Sequence, residues 1–163
     1  MVTLIGMGSG KWEALSAQAQ QAVRSAGLVF GAKRLLAGLP ADCTARQFAL
    51  YQPADILETL AQNPGQDAAV LYSGDTGFYS GASGLRVLGI PARVYPGVSS
   101  IQLLSAALGR PWQDWKLVSA HGCACDPVAE CMMNRSVFFL TGGTETPASL
   151  CQKLTDAGMG EAH

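Results

Sequence analysis

An excess of basic charge is missing from this chain: 11 lysines and arginines stand against 12 aspartates and glutamates, a net charge of −1. That balance removes the electrostatic footprint of a nucleic-acid binder, because affinity for the phosphate backbone comes from clustered Lys and Arg. Long apolar runs are missing too. No window approaches the roughly 18 uninterrupted apolar residues that a membrane span needs. The N-terminus enters a strand directly, without the basic region and cleavage site of a secretory leader, so a cytoplasmic protein with no membrane partner is expected. The five cysteines, at 43, 123, 125, 131 and 151, are odd in number and lack the spacing of a disulfide framework; reduced thiols are the default. His121, Cys123, Cys125 and Cys131 crowd together, yet Cys-x-Cys is not the Cys-x-x-Cys of a zinc knuckle and no second paired half follows. Small buried or loop cysteines are expected there, and no metal site. No internal repeat or low-complexity tract is visible.

What the chain does have is apolar content and glycine. At 163 residues and 48% apolar it is too hydrophobic to be disordered and long enough for one substantial core, or for one domain and part of another. Three times a short apolar run ends in a glycine-rich turn: VTLIG into GMGSG at 6–10, AAVLYS into GDTGFY at 74–79, and ARVY into PGVSS at 96–100. The first two have the backbone freedom that lets a small molecule approach main-chain atoms at strand ends, and the third opens a helix. Any one of them could be a tight turn and nothing more; three at strand ends point to a ligand cleft.

The apolar periodicity supports this placement. Val2 to Ile5, Leu28 to Phe30, Phe48 to Leu50, Ala68 to Tyr72 and Ala92 to Tyr95 read as strands. Helices are expected over Trp12 to Ala26, Ala32 to Leu36, from Pro53 to Asn63-Pro64-Gly65, Ser83 to Leu88 and Ile101 to Leu108. In the last of these Ile101, Leu103, Leu104, Ala107 and Leu108 form the expected buried stripe. Strands alternating with helices imply an α/β fold with a mostly parallel sheet. Arg-Pro-Trp-Gln at 110–113 looks like a connection between lobes, which divides the chain into an N-terminal α/β lobe at 1–110 and a second at 111–163. The second holds only two strands, Leu117 to Ala120 and Val137 to Leu140, and two helices, Pro127 to Met133 and Pro147 to Ala157. It reads as an incomplete lobe.

Phosphate binding fails on counting. For Gly-x-Gly-x-x-Gly, Gly6 and Gly8 fit but the third position is Lys11, and no acidic residue follows the second strand to hold a ribose. Ser9-Gly10-Lys11 imitates the end of a phosphate-binding loop, but that motif needs a glycine at position 5 and Ser or Thr at 12, where the chain has Ile5 and Trp12.

The motifs resemble a different group. GMGSG, the basic GAKRLL at 31–36, LYSGDTGFYSG, YPGVSSIQLLSAALGRPWQD and SAHG, in that order, are similar to the tetrapyrrole (corrin/porphyrin) methyltransferases that use S-adenosylmethionine. Within them, PGVSSIQ, PWQD and SAHG resemble the precorrin-6Y and cobalt-precorrin-7 C-5 methylase branch. Ser9 stands where that family usually has Pro, Thr76 replaces the Pro of Gly-Asp-Pro, and Ser80 replaces a Gly. Cys123 stands where Arg usually follows His-Gly, which removes a cation that would help hold an acidic substrate.

The resemblance implies two α/β lobes with S-adenosylmethionine between them, a homodimer, and methyl transfer to C-5 of a precorrin in cobalamin biosynthesis. A decarboxylating methyltransferase partner, as domain or separate protein, is also implied. It places Ser73, Gly74, Asp75, Phe78, Ser99, Ser100 and Thr141 at the cofactor. Gly6, Gly8, Ser9 and Gly10 fall toward the tetrapyrrole, with Lys33, Arg34 and Arg110 as pairing partners for its carboxylates. The residues by themselves leave alternatives. Asp75 suits a ribose or ammonium donor or merely an Asx-turn; Phe78 and Tyr79 suit a cleft wall or the core; the three cations suit a solvated surface. His121 suits proton transfer, its usual pKa being near neutrality, or a structural hydrogen bond. A non-catalytic scaffold and a methylase of another ring position are the rival functions.

Overall fold

The computed structural model describes residues 1–161 and divides into two compact units, Met1–Ser100 and the residues from Ile101 onward. In the first, β1 (Val2–Gly6), β2 (Leu28–Phe30), β3 (Arg46–Phe48), β4 (Ala68–Tyr72) and β5 (Ala92–Tyr95) form a sheet in the order β3-β2-β4-β1-β5, and every neighbouring pair is parallel. Its helices are α1 (Ala17–Ser25), α2 (Lys33–Leu36), α3 (Pro53–Ala61) and α4 (Ala82–Val87).

Alternation along the strands sorts side chains onto the two faces. Ile5, Val29, Ala69 and Leu71 pack with Ala19 and Val23 of α1 and Leu35 of α2. Leu4, Leu28, Phe30, Ala68, Val70 and Tyr72 pack with Ile56 of α3 and with Ala82 and Leu85 of α4. A strand covered on both faces needs no polar side, which is why AAVLY is apolar throughout and wholly buried. Each fully buried Leu, Ile or Phe contributes about 1.5–3 kcal/mol.

Two local expectations are corrected. The helix expected from Trp12 is broken into a 3₁₀ turn at Trp12–Ala14 followed by α1. Ser16 ends the first piece and caps the second, its Oγ accepting from Ala19 N at 3.2 Å, while Gln20 Nε2 donates to the carbonyls of Trp12 and Leu15. β3 lies two residues earlier than Phe48 to Leu50, because Phe48 pairs in register with Phe30 and stacks on it with ring centroids 5.2 Å apart.

In the second unit β6 (Lys116–His121) and β7 (Val137–Gly142) form a parallel pair, joined through α6 (Pro127–Met133) and followed by α7 (Pro147–Asp156). Both helices have Pro in the first turn and a side-chain cap. Asp126 accepts from Val128 N and Ala129 N, and Thr146 and Ser149 form a reciprocal capping box. The buried stripe expected on α5 (Ser100–Leu108) is not formed. Only Ile101 is buried; Leu103, Leu104 and Leu108 stay exposed, the last two lining an open cavity of about 350 Å³ with Trp115, Phe139 and Leu154. Among the described residues no helix is long and apolar enough to cross a membrane.

One core residue is frustrated. Tyr72, 7% exposed, ends β4 with a buried hydroxyl that has no hydrogen-bond partner, and burial pushes its pKa up to about 12. An unmade buried hydrogen bond is costly, so Tyr72→Phe is expected to raise stability by about 1 kcal/mol. Because the folded pKa lies above the unfolded value near 10, the wild type should also lose stability as pH rises from 10 to 12. That loss should shrink in the variant, as followed by melting temperature against pH.

Candidate functional site

The loops leaving β1, β4 and β5 lie at the carboxyl ends of three adjacent strands, where parallel α/β sheets hold ligands. Their main chains meet without intervening side chains. Met7 N donates to Tyr72 O at 2.7 Å, Gly8 N to Gly74 O at 3.1 Å and Gly74 N to Gly8 O at 2.9 Å. Gly8 (φ 54°) and Gly74 (φ 65°) adopt the left-handed backbone that this reciprocal pair requires. Beneath it, a Cβ on Gly6 would fall 2.5 Å from Gly97 N and 2.7 Å from Gly74 O, and a Cβ on Gly97 would overlap the carbonyl oxygens of Gly74 and Gly6.

Asp75 locks the arrangement. Its Oδ1 accepts from Gly97 N at 3.2 Å, joining the β4 and β5 loops, and its Oδ2 accepts from Gly77 N at 3.0 Å, closing an Asx-turn. Ser99 is buried, with its Cα 3.9 Å from where a Cβ on Gly74 would stand. The structure thus brings Gly6, Gly8, Gly74, Asp75 and Ser99 together. Ser73 and Ser100 are exposed at the same loops, and half-buried Phe78 meets Tyr79 edge-on at 4.8 Å.

The amides explain why a phosphate does not suit this floor. Phosphate loops work by aiming free backbone N–H groups at the anion. Here the N–H groups of Gly8, Gly10, Gly74 and Gly97 all donate to protein acceptors. What these loops leave for a ligand is close main-chain approach and neutral serine hydroxyls, with Asp75 adding negative charge.

Of the expected cations, Lys33 and Arg34 belong to the first unit and Arg110 to the second. Arg34 Nη1 lies 3.7 Å from the position of a Cβ on Gly10, and Gly38 abuts the Gly10 carbonyl, so α2 sits against the β1 loop with Arg34 exposed beside Gly10; Lys33 is exposed on the same helix. Arg110 belongs to the second unit, where its N–H donates to Ser105 O and its carbonyl accepts from Ser105 Oγ.

In the second unit, parallel register sets Ala120 against Thr141 and His121 against Gly142. The exposed His121 ring places Nδ1 3.3 Å from Thr141 O. Ser119 Oγ accepts from His121 N, and Cys123 Sγ donates to Ser119 O at 3.2 Å. Cys125, in the loop leading to α6, has its thiol pKa raised by burial first and by Glu145 second. Glu145 is paired with Lys153, and the bonds from Lys153 and Ser149 hold its carboxyl below the ordinary carboxylate range. Among the described residues no three His, Cys, Asp or Glu side chains gather as metal ligands. Gly97, Gly142 and Ser119 were not singled out by sequence. Gly97 stood inside PGVSS and Gly142 directly after Thr141, and a search for glycines facing a neighbouring main chain or ring would have found both.

A five-stranded parallel sheet with its loop cluster at the carboxyl ends, followed by a second α/β unit, defines a ligand-binding α/β protein. A sequence profile of the Tetrapyrrole (Corrin/Porphyrin) Methylases matches residues 1–162, and the chain belongs to that family. It is 30% identical over 162 residues to cobalt-precorrin-7 C(5)-methyltransferase of Salmonella typhimurium, covering 98% of this chain and 80% of that one. It is also 30% identical over 166 residues to the decarboxylating precorrin-6Y C(5,15)-methyltransferase of a Sinorhizobium species, covering 99% of this chain and 40% of that one. Uroporphyrin-III C-methyl transferase of Thermus thermophilus, solved in complex with S-adenyl homocysteine, shares the fold. Its TM-score is 0.68 at 23% identity, over 96% of this chain and 76% of that one.

Two substitutions probe the loop cluster. Gly97→Ala is expected to destabilise the protein by about 1–3 kcal/mol, since its methyl group would strike two fixed carbonyls. Gly65→Ala supplies the comparison, because a Cβ there meets nothing within 4 Å and its cost is backbone strain alone. Urea unfolding of both variants checks the difference; equal losses would contradict the close packing described.

Proposed function

We propose that this chain catalyses methyl transfer from S-adenosylmethionine to the C-5 carbon of a precorrin, precorrin-6B or cobalt-precorrin-7, in cobalamin biosynthesis. The observation that carries this reading is the 30% identity to a cobalt-precorrin-7 C(5)-methyltransferase across 98% of the chain. Physical support comes from the loop cluster. The amides of Gly8, Gly10, Gly74 and Gly97 donate to protein acceptors, so these glycines are not arranged as a phosphate cradle, which suits a donor with no phosphate.

The residues present fit such a donor. In the first unit Ser73, Gly74, Asp75, Phe78, Ser99 and Ser100 hold it, with main chain and hydroxyls against the adenosine and amino-acid parts. Asp75 faces the ammonium or ribose with the lone pairs left over from Gly77 and Gly97. Thr141 is the second unit's residue read as a donor contact, on the family resemblance alone. When bound, S-adenosylmethionine supplies an electrophilic methyl group on a sulfonium; the chain supplies position and orientation, which account for much of the barrier reduction in a reaction of this kind. Gly6, Gly8, Ser9 and Gly10 lie toward the tetrapyrrole, and Lys33, Arg34 and Arg110 pair with its carboxylates. Of these, Arg34 is best supported, because it already stands beside Gly10.

The working protein is a cytoplasmic homodimer. Decarboxylation belongs to a partner domain or protein, a reading supported by the chain spanning only 40% of the decarboxylating relative.

Titration calorimetry with S-adenosylmethionine tests donor binding. Mass spectrometry of a precorrin after incubation tests transfer and should show one added methyl group at C-5. Asp75→Asn leaves an oxygen for only one of the two loop bonds and should weaken S-adenosylmethionine binding about tenfold, equivalent to about 1.4 kcal/mol. No heat of binding to the wild type would refute the enzyme reading and favour a scaffold.

A further inference from the structure

We propose that the cavity between α1 and the edge strand β5 binds an organic monocarboxylate, held by the Arg93 guanidinium and the Thr3 hydroxyl. The cavity has a volume of about 720 Å³, within the range of small-molecule sites. Its lining residues all belong to the first unit, and Gly6, Gly8, Gly74, Asp75, Gly97 and Ser99 are not among them. The proposal therefore stands independently of the methyltransferase reading.

The sheet topology opens this space. β5 ends the sheet with β1 as its neighbour, while α1 packs over Ile5 of β1 and over Ala69 and Leu71 of β4. Parallel register sets Thr3 against Arg93 and Ile5 against Tyr95, and residues paired in this way face the same side of a sheet. Ile5 and Tyr95 join the core beneath α1, so Thr3 and Arg93 are turned to that side as well. The stripe of α1 made by Gln18, Gln21, Ala22 and Ser25 forms the opposite wall.

Two polar side chains in the wall lack a partner. Thr3 is only 4% exposed, yet among the described residues neither its hydroxyl nor the Arg93 guanidinium makes a hydrogen bond or ion pair. A buried hydroxyl without a partner costs stability, and valine would fill the same strand position without that cost. The partner that Thr3 lacks within the chain is supplied from the cavity.

Charge selects what enters. The Met1 ammonium and the Asp67 carboxylate, both at the cavity, pair with each other at 2.6 Å, which leaves the Arg93 charge uncompensated. A guanidinium takes one carboxylate bidentately, and neighbouring strands lie about 4.8 Å apart, close enough for Thr3 Oγ1 to donate to the same group. The amides of Gln18 and Gln21 and the small side chains of Ala22, Ala26 and Ala68 then suit an uncharged, partly apolar body. A dianion would find no second free cation in this wall.

The probes are indole-3-acetate and its uncharged analogue indole-3-acetamide, titrated into the full ¹⁵N-labelled chain and followed by amide chemical shifts. Indole-3-acetate is expected to bind with a dissociation constant of about 1 mM or tighter, shifting residues around Thr3, Gln21 and Arg93, and the amide about tenfold more weakly. Arg93→Gln, at an exposed position, should weaken indole-3-acetate about tenfold, and Thr3→Val about fivefold without lowering the urea midpoint. The arginine variant keeps the test decisive even where Thr3→Val fails to fold. S-adenosylmethionine affinity should stay within about twofold of wild type in Arg93→Gln; a parallel loss overturns the separateness of the site. No saturable shift up to about 10 mM, equal affinity for the amide, undiminished binding by Arg93→Gln, or shifts centred on Gly74 and Asp75 would each overturn the proposal.

Discussion

Three stretches of main chain lie so close at the carboxyl ends of β1, β4 and β5 that no side chain fits among them. Much of the first unit follows from that contact. The Gly6, Gly74 and Gly97 backbones can meet only if β1 sits between β4 and β5, and the sheet order places it there. Asp75 then reaches Gly97 across the gap, and the reciprocal pair between Gly8 and Gly74 extends the sheet's hydrogen bonding one step past its edge. The clasp contributes order rather than much free energy, since each of its hydrogen bonds is worth only about 1 kcal/mol net. Its effect is to hold Gly6, Gly8, Gly74, Asp75 and Gly97 at fixed positions before any ligand arrives, which lowers the entropy lost on binding.

The same clasp determines what kind of ligand these loops recognise. Glycine-rich turns at strand ends are commonly associated with phosphate because their amides point outward. Here the amides point at one another and at Asp75, so glycine serves for close approach and not for anion capture. Within the clasp itself the charge is the negative one of Asp75, which favours a positively charged ligand group there, while Arg34 stands beside Gly10 at the β1 loop. A sulfonium and an ammonium carried on one small molecule match that field; a diphosphate opposes it.

Much of the framework was legible in the sequence because period-two and period-3.6 patterns follow directly from burial. Ala68 to Tyr72, Ala92 to Tyr95 and Pro127 to Met133 match their observed bounds. The order of the motifs also carried the family. Two things were not legible. The break at Ser16 depends on the hydroxyl choosing a cap over a helix interior, a competition that periodicity does not register. The exposure of Leu103, Leu104 and Leu108 depends on what packs against α5, which no pattern within α5 can reveal. As for the site, sequence assembled a set of residues but not their work. Asp75 was split between ligand and turn, and the geometry has its two oxygens already engaged in holding loops, so any ligand role is additional to a structural one.

Glycines in this chain therefore divide by cause, and the distinction bears on how function is read from them. Gly8 and Gly74 are required by left-handed backbone, a property visible in the turn itself. Gly6 and Gly97 are required by neighbouring main chain, and Gly142 by a neighbouring imidazole, which are tertiary properties. A turn glycine tolerates Asn or Asp at a modest cost, because those residues also enter the left-handed region. A glycine required by space tolerates nothing larger, whatever its dihedral angles. The positions at which this protein is least able to accept change are thus those where a missing side chain lets two other groups meet. In each unit those meetings occur at the carboxyl ends of parallel strands, where the sheet's own hydrogen bonding stops and chemistry becomes possible.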